Sequence, residues 1–269
     1  MPAGAADRTM YLPEILSHTR TVVAERKRTA DLQALERDAA AHTPRGFAAA
    51  LRRKAKQGPA IIAELKKASP SKGLIRAEFD AAELGREMEQ AGATVLSVLT
   101  EERFFQGSLE NLQRASAAVS LPCLRKDFMV DPFQVLEARA NGADAILLIV
   151  AALTDAELRL LRDEARAYEL DVLCEIHDGA ELERALVLGC ECVGVNSRDL
   201  RTFEVSLDRA CELAARLPDS AVRVAESGIH RAADLQRLRT AGYDAFLIGE
   251  SLMRQPRPGE ALQSLVGRA

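Results

Sequence analysis

Much that would mark a specialised class of protein is missing from this chain. There is no surplus of basic residues: 36 Lys and Arg stand against 40 Asp and Glu, a formal charge of −4. No global positive field therefore invites nucleic acid. The five cysteines, Cys123, Cys174, Cys190, Cys192 and Cys211, form no CxxC pair and no Cys/His cluster. That pattern argues against structural zinc and for a reduced, cytoplasmic protein. Cys123, Cys174 and Cys192 lie in apolar runs, where cysteine acts as a small buried hydrophobe. The N-terminus has no apolar signal core, and no run approaches the length of a membrane span, so no membrane partner is expected. No GxGxxG follows the first strand-like run, which counts against a dinucleotide fold.

What is present supports one large core. With 269 residues and 48% hydrophobic content, one barrel or two smaller domains would fit. Residues 1–8 carry no pattern and read as loose. Residues 11–41 read as charged helix, with Ile15, Val22, Leu32 and Leu35 as sparse apolar contacts, and 45–56 as a short helix carrying Phe47 and Leu51. Residues 1–58 are thus expected to be a helical extension packed on the main domain at 59–269, either as a solvated addition or as a cover for its mouth.

After Gly58-Pro59 the pattern becomes periodic. Strand-like runs fall at 61–65, 94–99, 121–125, 145–150, 171–176, 192–195, 222–225 and 245–248. Amphipathic stretches alternate with them, at 79–91, 108–119, 131–141, 154–169, 178–188, 206–216 and 231–241, and a last helix falls at 259–266. Such alternation argues for βαβ units and a parallel sheet. A weak repeat places Gly92, Gly142, Gly189 and Gly242 at helix-to-strand junctions, where glycine can end a helix in the left-handed conformation. Eight units in about 200 residues fit an α/β fold of the closed (β/α)8 TIM-barrel type better than an open sheet.

In such barrels the C-terminal strand ends carry the chemistry. The stretch Ala63-Glu64-Leu65-Lys66 ends the first strand with an acid and an ammonium on one face, and a Ser69-Pro70-Ser71-Lys72-Gly73 turn follows. The third strand ends at Lys126, the fifth at Glu175, the sixth at Asn196-Ser197-Arg198 and the seventh at Glu226. Any one of these could be a rim salt bridge. Three acids, two lysines and an Asn at one face are harder to explain by stability, because buried ion pairs contribute weakly to it. Alternation puts Glu64 and Lys66 on the face of Ile62, Lys126 with Leu124, Glu175 with Leu173, and Glu226 with Val224. Two tight turns, Ser227-Gly228 and Gly249-Glu250, could aim backbone N–H groups at an anion. The second opens a short extra helix of the kind that favours phosphate. Phe104, Phe105 and Phe128 follow strands at the same face and read either as core or as a wall for an aromatic substrate. His177 reads as a loop residue beside Glu175 rather than a metal ligand, and His18, His42 and His230 as isolated.

Taken together and in order, Ala63-Glu64-Leu65-Lys66-Lys67-Ala68-Ser69-Pro70-Ser71, Ser97-Val98-Leu99-Thr100-Glu101, Leu124-Arg125-Lys126-Asp127-Phe128, Cys174-Glu175-Ile176-His177, Gly194-Val195-Asn196-Ser197-Arg198-Asp199-Leu200, Ala225-Glu226-Ser227-Gly228-Ile229 and Ile248-Gly249-Glu250-Ser251-Leu252-Met253 closely resemble the indole-3-glycerol-phosphate synthase family of tryptophan biosynthesis. Ala68 departs from the basic residue that some members carry. The chain ends after one barrel, unlike members fused to a second isomerase barrel.

The resemblance implies a phosphorylated substrate, 1-(2-carboxyphenylamino)-1-deoxyribulose 5-phosphate, whose ring closes with loss of carbon dioxide and water. It implies Lys126 as general acid on the ribulose carbonyl and Glu175 as general base in the dehydration. Lys66 pairs with the anthranilate carboxylate, with Arg198 as a second candidate. Glu64 and Asn196 orient the lysines and the ribulose hydroxyls, with Glu226 nearby. Ser69, Ser227, Gly228, Gly249 and Glu250 bind the phosphate, and Phe104 and Phe128 flank the ring. No cofactor and no metal are needed, since the reaction moves protons rather than electrons. A monomer is expected. Two other readings stay open from the residues alone: a Schiff-base aldolase using Lys126, and a non-catalytic phosphate-binding barrel.

Overall fold

The computed structural model describes residues 11–199 and 204–267. The reading of residues 1–8 as loose, and the position of Leu200, lie outside the described residues.

The eight apolar runs become eight parallel strands: β1 (Ala60–Leu65), β2 (Val95–Leu99), β3 (Cys123–Lys126), β4 (Ala145–Ile149), β5 (Asp171–Ile176), β6 (Cys192–Asn196), β7 (Val222–Glu226) and β8 (Ala245–Ile248). Each pairs with its sequence neighbours, and β1 closes the ring against β8 with Ala60 opposite Ala245 and Ala63 opposite Ile248. The runs are apolar on both faces because both faces are covered. Ile62, Leu124, Leu173, Val224 and Leu247 pack inside the barrel. Ile61, Leu96, Ile146, Val193 and Phe246 pack outward against the helices. The (β/α)8 barrel expected from the alternation is therefore what forms.

The helical layer consists of α4 (Ala81–Ala91), α5 (Leu109–Ala118), α6 (Phe133–Ala140), α7 (Asp155–Ala167), α8 (Gly179–Leu188), α9 (Leu207–Ala214), α10 (Ala232–Ala241), the single turn α11 (Glu250–Met253) and α12 (Pro258–Leu265). Starts are set by side-chain caps, such as Ser108 accepting from the Asn111 N–H at 3.0 Å and Asp178 accepting from Ala180 and Glu181. The four junction glycines all take positive φ, 94°, 79°, 73° and 112° at Gly92, Gly142, Gly189 and Gly242, as the repeat required.

Three helices form before the barrel where the pattern predicts two: α1 (Tyr11–Thr29), α2 (Leu32–Ala41) and α3 (Phe47–Ala55). The stretch 11–41 breaks because the Asp31 side chain caps a new helix, accepting from the Ala34 N–H at 3.0 Å. Leu32, expected as a contact, is exposed. Phe47 and Leu51 are fully buried among the interior residues of the barrel, so α3 is a plug rather than a solvated addition. It sits where strands begin: Arg45 Nη2 binds Asp144 at 2.6 Å, and the Ala48 N–H donates to Asp171 at 2.9 Å. Helix α1 lies at the other end. Its Leu12 and Ile15 line the cavity at the strand C-termini, and its Glu14 and Lys27 pair with Arg103 and Asp131. That is the covering position.

Three local features differ from the pattern. β3 starts at Cys123 rather than 121, because Pro122 has no N–H for the ladder. The loop after β1 folds into a two-stranded ribbon, Ala68–Ser69 with Gly73–Leu74. Cys174 and Cys190 are joined by a disulfide across 16 residues, which corrects the reading of a fully reduced chain. The outward face of β5 meets the turn before β6 there, a contact between distant segments that no cysteine spacing announces.

Candidate active site

The parallel register delivers polar side chains to one end of the barrel. Glu64 stands opposite Ser97, Leu99 opposite Lys126, Ile149 opposite Glu175, and Asn196 opposite Glu226. All the carboxylates, lysines and the amide expected at the site line one cavity: Glu64, Lys66, Lys126, Glu175, Asn196 and Glu226.

At its centre the Lys126 ammonium donates to Glu175 Oε2 at 2.6 Å and to Glu226 Oε2 at 2.9 Å. Burial alone would lower the pKa of this lysine. The fields of Glu175, Glu226 and Glu64 outweigh it and raise the pKa above its usual value, so the group stays an ammonium. Burial would likewise raise Glu175, but Lys126 first and His177 second pull it below the ordinary carboxylate range. Glu226 goes the other way. Burial raises it, Lys126 lowers it and the neighbouring Glu175 raises it again, with a net rise. Two carboxylates share one cation, so they titrate as a pair. Glu226 Oε1 is buried without a hydrogen-bond partner, packed against Gly194 of β6.

Asn196 connects this group to β7. Its amide donates to Glu175 Oε1 at 3.2 Å, and its carbonyl oxygen accepts from Ser227 Oγ at 2.8 Å and the Arg198 N–H at 3.0 Å. Asn196 thus orients Glu175 rather than a lysine. Glu226, placed only nearby by the sequence, is a direct partner of Lys126. Lys66 donates to Glu64 Oε1 at 2.5 Å, a second ion pair beside the first.

The rest of the lining divides into an apolar wall and a polar rim. Phe105 and Phe128 line the cavity with their rings 6.1 Å apart, above Leu147, Ile149 and Leu247. Phe104 does not reach it. Its ring packs edge-on to His18 on α1 at 6.0 Å, under the Arg103 guanidinium. The turn that sends the two rings apart is tied by Glu101, whose buried carboxylate accepts from the N–H groups of Arg103, Phe104 and Phe105. On the polar rim lie Ser69, Arg198, Ser227, Gly228, Gly249 and Glu250. Ser227 takes a φ of 66° and Gly228 one of 77°; a non-glycine residue held left-handed marks a turn fixed by its surroundings. The Glu250 carboxylate faces Arg254 at 3.1 Å, Arg198 at 3.6 Å and Lys72 at 3.7 Å. Burial would raise its pKa, yet these cations lower it.

Leu12 and Ile15 were not among the expected site residues, because a helix some fifty residues before the barrel gives no sign of which surface it covers. His230, read as isolated, also reaches the lining. His177 touches the site from behind: its Nε2 lies 3.5 Å from Glu175 Oε1. Among the described residues, no group of three His, Cys, Asp or Glu is arranged to hold a metal ion, and no helix is long and apolar enough to cross a membrane.

An ammonium clamped by carboxylates, a second lysine–glutamate pair and an aromatic wall at the C-terminal end of the strands define a (β/α)8-barrel enzyme built to move protons. Residues 12–265 match the family model described as indole-3-glycerol phosphate synthase. The chain is 60% identical over 256 residues to the indole-3-glycerol phosphate synthase of Koribacter versatilis (strain Ellin345), covering 95% of this chain and 98% of that protein. It is 50% identical over 260 residues to the enzyme of the same name from Polaromonas sp. (strain JS666 / ATCC BAA-500), covering 95% and 98%. The fold is shared more widely. A solved 3-hexulose-6-phosphate synthase superposes with a TM-score of 0.62 at 14% identity, over 78% of this chain and 99% of that one. The chain belongs to the indole-3-glycerol phosphate synthase family, and is a carbon–carbon lyase of tryptophan biosynthesis.

Proposed function

We propose that this cavity closes the indole ring of 1-(2-carboxyphenylamino)-1-deoxyribulose 5-phosphate, with the following division of labour. The substrate's phosphate lies at Ser69, Gly228, Gly249 and the backbone of Glu250, and its aromatic ring against Phe105 and Phe128. Lys66 and Arg198 receive the anthranilate carboxylate. The ring carbon bearing that carboxylate attacks the ribulose ketone as Lys126 donates a proton to the carbonyl oxygen, forming a carbon–carbon bond and a hydroxyl. Carbon dioxide departs and leaves its bonding electrons in the ring. Lys66 then protonates the departing hydroxyl, water leaves, and Glu175 takes the proton released as the indole becomes aromatic. Asn196 holds Glu175, and Glu226 holds the Lys126 ammonium from the other side.

The observation that carries this reading is the Lys126 ammonium held between Glu175 and Glu226 at 2.6 and 2.9 Å. Carboxylates that keep a lysine protonated suit a general acid. They oppose the neutral amine that an imine-forming aldolase needs, which sets that rival aside. Incubation with the aminodeoxyribulose phosphate should produce indole fluorescence without added cofactor; none appearing, with the substrate intact, would refute the proposal. We also place the enzyme in the cytoplasm as a monomer, which fractionation and sedimentation would test.

A further inference from the structure

His177 follows β5 directly and is largely buried, with its side chain 11% exposed. Its backbone N–H donates to Glu181 Oε2 at 2.8 Å, and its ring Nδ1 lies 3.1 Å from the same oxygen. An acceptor at that position calls for a proton on Nδ1. Nε2 is then left facing Glu175 Oε1 at 3.5 Å, buried and without another partner. Two lone pairs cannot face each other there at no cost. A proton must lie between them, carried by an imidazolium or by a carboxylic acid. Glu175 already accepts from Lys126 on Oε2 and from Asn196 on Oε1, an environment that favours the ionised carboxylate, so the proton belongs on the ring.

We infer that His177, backed by Glu181, is a positioning residue that acts through Glu175. As an imidazolium it fixes the base in its carboxylate form and orientation, and it loses that hold when it deprotonates. The inference rests on the reading of Glu175 as the general base. His177 does not line the cavity, so it touches no substrate and is not itself a catalytic residue. The charged groups around it are Glu175 on its own strand, Glu181 from α8 and Glu226 from β7, with Lys126 of β3 beyond Glu175. Burial works against the imidazolium, as does the positive end of α8. The hydrogen bond to Glu181 and the fields of Glu175, Glu181 and Glu226 prevail, and the pKa of the ring is raised. Lys126 keeps its proton well above that range, so a fall in turnover on the alkaline side that disappears in His177→Gln is the expected mark of this coupling.

From sequence alone His177 reads as a loop residue, because histidine one position past a strand has no spacing signature. Only the α8 residue Glu181 and the inward neighbour Glu175 give it a function.

The test has two readouts. In the full chain with its four histidines labelled with nitrogen-15, the His177 ring resonance, assigned by its loss in His177→Gln or by through-bond correlation to the His177 backbone amide, is titrated in wild type and in Glu175→Gln. Removing the carboxylate should lower its midpoint by about one pH unit, or tenfold in the protonation constant. An unmoved midpoint overturns the inference. In steady-state assays His177→Gln should lower kcat about tenfold with KM within about twofold, and should lack the wild-type alkaline limb. Wild-type kcat and an unchanged pH profile would overturn it as well. Should His177→Gln fail to fold, Glu181→Gln serves instead: both the ring midpoint and the alkaline limb should shift to lower pH, and their staying in place overturns the claim. If wild type made no indole product while Glu175→Gln still moved the ring titration, the proposed reaction would fall but the coupling would stand.

Discussion

Glu226 Oε2 lies 2.9 Å from Lys126 Nζ, although the two residues are 100 positions apart in the chain. With Glu175 at 2.6 Å on the same ammonium, one cation serves two buried carboxylates. Removing that cation leaves the acids facing each other, and one of them takes up a proton. The fold therefore survives the loss while the chemistry does not. Lys126→Met should lower kcat by about 10²–10⁴-fold, the range of a lost general acid, while the thermal midpoint moves by only a few degrees. A variant turning over at near-normal rate would remove Lys126 from its role.

The same trio gives stability a pH dependence. Glu226 is raised in the folded protein, from an ordinary 4.5 to about 7. Between those values the folded state holds a proton that the unfolded state has released. Stability from this group is therefore full below about pH 4.5 and lost as pH rises through about 7. His177, also raised, adds in the same direction. Urea unfolding across this window should show a decline in wild type that is shallower in Glu226→Gln. Equal slopes in the two proteins would contradict the assignment.

Gly194 on β6 tests how tightly Glu226 is held. A Cβ built at residue 194 would collide with Glu226 Oε1 and come within 3.3 Å of Leu173. Gly194→Ala should push the carboxylate off Lys126, lowering kcat with little change in KM. A rise in KM at constant kcat would mean that Glu226 binds substrate without supporting the acid.

The polar rim makes a separate prediction. Inorganic phosphate and sulfate should inhibit competitively against the aminodeoxyribulose phosphate. Gly228→Ala, which forces a side chain onto a φ of 77° and against Val205 and Leu207, should raise KM and weaken that inhibition together. No inhibition even at high anion concentration would move the phosphate elsewhere.

How much of this was legible beforehand depended on range. Alternating strands and helices announced the barrel because each βα unit is local. Glu64, Lys66, Lys126, Glu175 and Glu226 were legible as strand-end residues for the same reason. Their pairings were not. That Glu226 holds Lys126, that Asn196 holds Glu175, and that His177 stands behind Glu175 are set by the closing of the ring, which brings together strands far apart in sequence. Phe104 and Phe105 are adjacent and look equivalent, yet the Glu101-capped turn sends only Phe105 into the cavity. The extension was the least legible part: Phe47 and Leu51 gave an apolar face but no sign that the barrel floor receives it.

That floor is where stability and chemistry should separate most clearly. Asp144, fully buried, accepts from the Arg45 backbone N–H and guanidinium and from the Cys123 N–H, with His42 Nε2 at 3.3 Å. The carboxylate ties the chain entering α3 to the start of β3 and β4, at the opposite end from Lys126. Burial would raise its pKa, but the bonds from His42 and Arg45 hold it below the ordinary range. Its contribution is therefore present at neutral pH and lost on acidification. Asp144→Asn leaves the Arg45 guanidinium, itself only partly exposed, without its counter-ion. Breaking such a pair costs about 3–5 kcal/mol. The expected outcome is a large fall in the urea midpoint together with kcat and KM close to wild type at a temperature where the variant stays folded. If kcat fell in proportion to stability instead, the two ends of the barrel would be coupled, and the floor could not be treated as scaffold alone.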